Sequence, residues 1–310
     1  MESVRLYRLS GDRLGLGLAL AVYGADLGHF NLIFPMQDLD QARQVLDESE
    51  AIFRELGDAW GLGEVMLAKS RIAASNQSDL DARLCYVQEA LKIFRNIGDR
   101  LKIAEVSHDM AGLIYSQGDY KTARILLDES IALGRELNSK ALLLDIIWLS
   151  VILPFFQSDY KQMEKYALEL YKTGREYRNS ARIICGLRYT GVAALFQGQT
   201  QRARQLFLEA LPLSQELDDL SGIILFLLLM AGVADAEGNA QAAARLIGAF
   251  DVQNERMFKP LMYFEQGQYQ RILDVVRSHL DEATFEAERA EGRTMTLEQA
   301  IAYARSEFII

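Results

Sequence analysis

The chain has 310 residues, half of them hydrophobic and a quarter charged, with only four prolines. Its 43 acidic and 33 basic residues give a net charge of −10, which repels phosphate backbones and argues against direct nucleic-acid binding. The N-terminus lacks the basic and apolar stretches of a signal peptide. The most apolar segment, 223–234 (IILFLLLMAGVA), is far shorter than the ~20 residues of a membrane span, so it reads as a buried helix.

Taken in chain order, residues 5–12 (RLYRLSGD) match the end of a later segment, 53–58 (FRELGD). The chain is therefore expected to begin inside a repeat of a longer array. A helix containing Gly15, Gly17 and Gly24 follows; these glycines read as allowing close helix packing and not as a phosphate loop. Residues 46–58 (LDESEAIFRELGD) then open a pattern that returns at 87–99 (VQEALKIFRNIGD), 127–139, 167–179 and 207–219. Glu48, Glu89, Glu129, Glu169 and Glu209 recur in phase, about 40 residues apart. Cys85 and Cys185, the two cysteines, have apolar neighbours and read as buried thiols in a reducing, cytoplasmic setting.

Between these segments lies a second marker, QGDY at 117–120, QSDY at 157–160, QGQT at 197–200 and EGNA at 237–240. Its glycine can end one helix in the left-handed conformation, and the residue after it can cap the next. Each repeat is thus predicted to be helix A, a tight turn, helix B and a junction. Ile103, Val106, Met110 and Ile114 mark the apolar stripe of one helix A. Ala123, Leu126, Leu127, Ile131, Leu133 and Leu137 mark that of the following helix B. No period-two alternation persists, so no strands are expected.

The pattern fades near residue 250. Residues 281–292 and 296–307 read as two more helices, with Thr296 and Gln299 forming a capping box. The predicted organisation is about six helix-hairpin repeats over 1–250, the first truncated, and capping helices over 251–310. The fold class is all-α, a right-handed superhelical solenoid of antiparallel helix pairs.

The Gln-Gly-Asp-Tyr-x-x-Ala turn at 117–123, with small residues at Ala111 and Ser130, resembles the tetratricopeptide repeat. The longer period is similar to the variety in the sensor region of MalT-like bacterial proteins. Residues 242–249 (AAARLIGA), 285–293 (FEAERAEGR) and 297–302 (LEQAIA) resemble the closing segment of large LuxR-type and AfsR-type transcriptional regulators. Those proteins join a nucleotide-switching ATPase and a DNA-binding module to a helical-repeat sensor. This chain has no G-x-x-x-x-G-K-[ST] loop and no basic recognition helix. The resemblance therefore implies the sensor module, with its ATP-binding and DNA-binding activities elsewhere.

No zinc, nucleophile-elbow or dinucleotide motif is present, so neither catalysis, a metal nor a cofactor is expected. In tetratricopeptide arrays helices A line the concave surface. Counting from the turn marker places Glu105, His108, Asp109 and Tyr115 there, then Trp148, Ile152 and Phe155, then Arg188 and Val192, then Leu228 and Asp235. The predicted site is a groove with an aromatic centre and mixed charges, binding a protein, peptide or small-molecule effector. The alternative for Trp148 and Phe155 is packing between helices. Two functions fit: the effector-sensing region of a bacterial regulator, or a free-standing scaffold or peptide receptor. Self-association through the uncovered apolar face of the first repeat is a further expectation.

Overall fold

A computed structural model describes residues 2–33, 39–74, 80–257, 261 and 263–306, and every element among them is an α-helix. The helices are α1 (Glu2–Ser10), α2 (Arg13–Ile33), α3 (Leu39–Leu56), α4 (Ala59–Ala74), α5 (Leu80–Ile97) and α6 (Arg100–Ser116). Next come α7 (Tyr120–Glu136), α8 (Lys140–Phe156), α9 (Tyr160–Glu176), α10 (Ser180–Phe196) and α11 (Thr200–Glu216). The chain continues through α12 (Leu220–Ala236), α13 (Ala240–Arg256), α14 (Tyr263–Ser278), α15 (Glu282–Gly292) and α16 (Leu297–Ser306). Two compact units result, Met1–Ile146 and Ile147–Ile310, and the division falls inside α8. Helices A are even-numbered from α2 to α12, and helices B are odd-numbered from α1 to α13.

The junction chemistry explains the regular helix lengths. Asp99, Asp119, Asp159, Asn179, Asp219 and Asn239 each accept a hydrogen bond from the backbone N–H three residues on, filling an orphan donor of the first turn. The residue before these caps is left-handed, as at Gly98 (φ 73°) and Gly118 (φ 87°). Ser158, Arg178, Asn138 and Asp218 adopt the same conformation without being glycine, which costs each about 1 kcal/mol. Gln199 occupies a cap position but makes no capping bond.

Packing within the N-terminal unit pairs large with small. Phe53 and Phe94 are fully buried on helices B. A Cβ on Gly61 would fall 2.4 Å from the Phe53 ring, and one on Gly63 2.5 Å from Phe94. Ser49 and Ser130 are also fully buried, and their hydroxyls donate to the Gly17 and Ala104 carbonyls at 2.7 and 2.6 Å. The in-phase glutamates brace neighbouring helices B: Arg8 meets Glu48 and Arg95 meets Glu129, both at 2.6 Å. These pairs are exposed and stabilise little.

In the C-terminal unit, α13 and α15 cross at near backbone contact. A Cβ on Gly248 would lie 1.9 Å from the Arg289 carbonyl oxygen, and one on Gly292 1.8 Å from that of Arg245. Two of the three segments that carry the regulator resemblance, 242–249 and 285–293, are thus the two sides of one helix crossing. Arg289 seals it with Asp251 at 2.6 Å. Burial raises the Asp251 carboxyl above its usual range despite that arginine, and burial beside Asp251 pushes the Tyr269 hydroxyl up to about 12. Before α16, Thr296 and Gln299 exchange reciprocal bonds of 2.9 and 3.2 Å, a capping box. The helix ends at Ser306, and Glu307 lies outside the described residues.

Three expectations need correction. Cys85 is exposed and Cys185 only half-buried, because the apolar neighbours of Cys85 belong to the opposite side of α5. Leu133 is half-buried and Leu137, the α7 C-cap, is exposed. Gly134 holds the buried position instead, where Leu143 closes on it. Helix α14 was not anticipated at all. The apolar run 223–234 lies in α12, where Leu225 to Ala231 are almost wholly buried. No described helix is long and apolar enough to cross a membrane.

Candidate functional site

Helices A can be aligned on their caps. Eight residues after the cap stand Leu20, Met66, Ser107, Ile147, Leu187 and Leu227, all buried. Nine after it stand Ala21, Leu67, His108, Trp148, Arg188 and Leu228. Glu105 belongs to the sixth row with Glu64, Cys185 and Leu225, and Asp109 to the tenth with Val22 and Tyr189. Tyr115, Phe155 and Asp235 share the sixteenth. The sequence-predicted residues therefore occupy a few rows on one side of helices A, called here the helix-A face.

In the N-terminal unit this face is polar. Lys102 of α6 lies 2.8 Å from Glu64 of α4 and 3.2 Å from Glu105. Burial disfavours its charge, but the two carboxylates outweigh that and hold its pKa above the usual value. The ammonium is 5.8 Å from the centre of the Trp60 ring, and the Trp60 indole donates to the capping Asp99 at 3.1 Å. His108 Nδ1 is 3.3 Å from Asp109 Oδ1, while its buried Nε2 has no hydrogen-bond partner. The Ser107 hydroxyl, in a row otherwise filled by large apolar side chains, is likewise buried and unpartnered. Tyr115 packs on Tyr120 at 4.8 Å between ring centres.

Two cavities open in this unit. One of about 370 Å³ lies between α1 and α2, walled by Tyr7, Leu18, Val22 and Tyr23 with Asp26 beside them. Another of about 190 Å³ is lined by Leu46, Ile72, Tyr86 and Lys69. Lys69 bonds Asp47 at 2.6 Å and Glu50 at 2.5 Å. Sequence reasoning missed Lys69, although it stands in a row whose other members, Tyr23, Met110, Ser150, Thr190 and Met230, are neutral.

In the C-terminal unit the same face is aromatic and covered. Trp148 is half-buried, and its indole donates to the Tyr189 hydroxyl at 3.3 Å. Arg182 lies 5.9 Å from the centre of the Trp148 ring, and Arg188 5.5 Å from that of Tyr189. Burial opposes the Arg188 charge, yet Cys185, Tyr189 and Asp219 outweigh it, and its pKa stays above the ordinary value. Burial raises the Tyr189 hydroxyl.

Helix α14 crosses the C-terminal halves of α8, α10 and α12. Phe264 sits 4.8 Å from Phe155 and 5.3 Å from Tyr189. Arg271 stacks 4.3 Å above Phe155 and donates to the Tyr160 hydroxyl at 2.5 Å. Ile272 reaches Gly232 of α12. Just past α14, His279 meets the buried Asp235 at 2.8 Å. Phe155 is thus fully buried between helices, and Asp235 is partnered from within the chain. Leu228 and Val192 are fully buried and Ile152 nearly so. Among the described residues, no group of three His, Cys, Asp or Glu is placed to hold a metal ion.

The fold is that of tetratricopeptide-like helical repeat proteins. A signal transduction ATPase with numerous domains from Pyrococcus horikoshii, carrying a tetratricopeptide repeat sensor, matches with a TM-score of 0.66 at 14% identity. The match covers 86% of this chain and 39% of that protein, so the chain spans well under half of its length. The apo form of RapI matches at a TM-score of 0.59 and 14% identity, over 83% of this chain and 97% of RapI. A Rap protein complexed with Competence and Sporulation Factor matches at 0.51 and 13% identity, over 86% and 76%. No family model and no curated protein matches the sequence.

Proposed function

We propose that the chain is a binding module, acting by recognition and not by catalysis, and that it is the effector-sensing or partner-binding region of a bacterial signalling or transcriptional regulator. Residues 1–250 supply the repeats and 251–310 the helices that end the array. The observation that carries this reading is the open polar helix-A face of the N-terminal unit. There Ser107 interrupts a row that is apolar elsewhere and His108 stands next to it, leaving two buried polar atoms unpartnered. Buried polar groups are ordinarily satisfied, so a side chain or ligand that supplies partners gains there. The likeness to a repeat sensor of a multidomain ATPase supports the regulator context, and the likeness to a Rap protein complexed with Competence and Sporulation Factor supports a peptide or protein partner. The second reading, a free-standing peptide receptor or scaffold, draws on RapI, nearly all of which the match covers.

Thermal unfolding of the purified chain against peptides and metabolites tests the proposal. A native-state binder raises stability by about 2.7 kcal/mol at a hundredfold excess over its dissociation constant. The expected hit loses its effect in Glu105→Gln and His108→Ala. A hit indifferent to both variants, or no hit in the presence of any peptide or metabolite class, sinks the placement of the site.

A further inference from the structure

In the C-terminal unit the half-buried arginines Arg204, Arg245 and Arg289 each meet a carboxylate, and Arg271 meets the hydroxyls of Ser158 and Tyr160. Arg188 of α10 is also half-buried, yet among the described residues no carboxylate lies within ion-pair distance of it. Asp219 favours its charge only from farther away. A guanidinium stays charged at any ordinary pH, and a charge drawn out of water without a partner is costly. Beside it stands a second unused donor. The buried Tyr189 hydroxyl accepts the Trp148 indole N–H at 3.3 Å, and among the described residues no acceptor takes its own proton. The Arg188 guanidinium lies 5.5 Å from the centre of the Tyr189 ring, and Trp148 is only partly covered. This corner of α8 and α10 therefore offers a cation, a hydroxyl donor and an aromatic surface.

We propose that the corner formed by Trp148, Arg188 and Tyr189 is a second ligand site, which takes an organic monocarboxylate whose apolar portion lies against Trp148. A carboxylate receives two parallel hydrogen bonds from a guanidinium and keeps lone pairs for the Tyr189 hydroxyl. One guanidinium, with Asp219 in its field, balances a single negative charge and disfavours a phosphate dianion. A free aromatic acid and the C-terminus of a peptide both present this chemistry. The site is separate from the polar face of the N-terminal unit and goes beyond the function proposed for that face.

The probes are 3-phenylpropionate and the peptide acetyl-Ala-Ala-Phe with a free C-terminus, each beside its primary amide. They are titrated into the whole chain carrying Trp60→Phe, in which Trp148 is the sole tryptophan reporter. Each acid is expected to bind at least tenfold more tightly than its amide, and the tighter of the two acids identifies the source of the carboxylate. Bound acid should also slow alkylation of Cys185, which acts on the Arg188 charge from one turn away, and leave the exposed Cys85 of the other unit unchanged. Arg188→Gln should abolish the preference for the acid. Arg188→Lys, which keeps the charge and loses the planar fork, should weaken binding severalfold, as should Tyr189→Phe, which keeps the ring packed on Phe264. Because Arg188 has no counter-ion, Arg188→Gln is expected to keep or raise the thermal midpoint. Acid and amide binding alike, a preference that survives Arg188→Gln, or no binding of either acid at tens of millimolar overturns the proposal. So does a midpoint lowered by Arg188→Gln, which would mean that the guanidinium is satisfied within the fold. Stabilisation lost in Glu105→Gln or His108→Ala reports the N-terminal face instead, so the two sites fail independently.

Discussion

The two units carry the same rows of side chains and use them in opposite ways. In the N-terminal unit the sixth, ninth and tenth rows of α6 hold Glu105, His108 and Asp109, all solvent-accessible. In the C-terminal unit the same rows of α10 hold Cys185, Arg188 and Tyr189, and Tyr189 is packed under Phe264. Rows facing the neighbouring helices vary little, because each hairpin must cover the next. The helix-A face carries no such packing duty, so it is free to receive the chain's own helix in one unit and to stay polar and open in the other.

Breaking the covered side should have the largest effect. Phe264→Ala removes a buried ring that touches three aromatic side chains, and is expected to cost about 3–5 kcal/mol. Chemical denaturation followed by Trp148 fluorescence reads this loss. The matched change on the open side, Val22→Ala, should stay within about 0.5 kcal/mol. A cost at Val22 comparable to that at Phe264 would mean that the α1/α2 face is filled in solution, and the contrast would fail.

Next in size is a gain. Ser107 sits fully buried with an unpartnered hydroxyl in a row of Leu, Met and Ile. Leaving such a group unsatisfied costs about 1–3 kcal/mol, so Ser107→Ala should raise stability by about 1 kcal/mol and weaken any ligand that uses the hydroxyl. A destabilised alanine variant would show that the serine is satisfied by a partner the fold alone does not provide.

A smaller gain comes from the cap that fails. Asp159 and Asn239 cap α9 and α13, whereas Gln199 at the start of α11 does not, its longer side chain bonding Arg202 instead. Gln199→Asp should add about 1 kcal/mol, read as a rise in the thermal midpoint. No rise would mean that the Arg202 contact contributes as much as a cap.

The repeats were legible because their cause is local. Caps such as Asp119 and left-handed residues such as Gly118 act within one turn, and the apolar stripes act between neighbours in sequence. The rows of His108, Trp148 and Arg188 could be counted from the turn for the same reason. What covers a row was not legible. Phe155 and Asp235 meet Phe264, Arg271 and His279 across 44 residues or more, and nothing in the 263–278 pattern names the face it will choose. The α13/α15 crossing was seen only as a resemblance in AAARLIGA and FEAERAEGR, because close approach depends on Gly248 and Gly292 meeting in space.

The subtlest contrast is electrostatic, and the two tryptophans of the chain can report it unit by unit. Burial pushes the Glu50 carboxyl up, but Lys69 and Arg54 outweigh it and leave its pKa below the usual carboxylate value. Glu164 is held low in the other unit, where Gln197 and Arg202 outweigh burial. A depressed folded-state pKa contributes stability above the unfolded value, about 4.3 for Glu, and that contribution fades as pH falls through the folded value. Lys69→Met, the residue type found in the same row at Met110 and Met230, removes the largest partner of Glu50 and leaves Glu164 untouched. The variant should be less stable than the parent at neutral pH by Trp60 fluorescence, with the deficit narrowing below about pH 4.3 as Glu50 takes up its proton. Because Glu50 and Arg54 reach solvent, the narrowing will be modest. The Trp148 signal of both proteins should follow one acid profile. A deficit that is independent of pH would mean that Lys69 acts through packing around the 190 Å³ cavity and not through its charge.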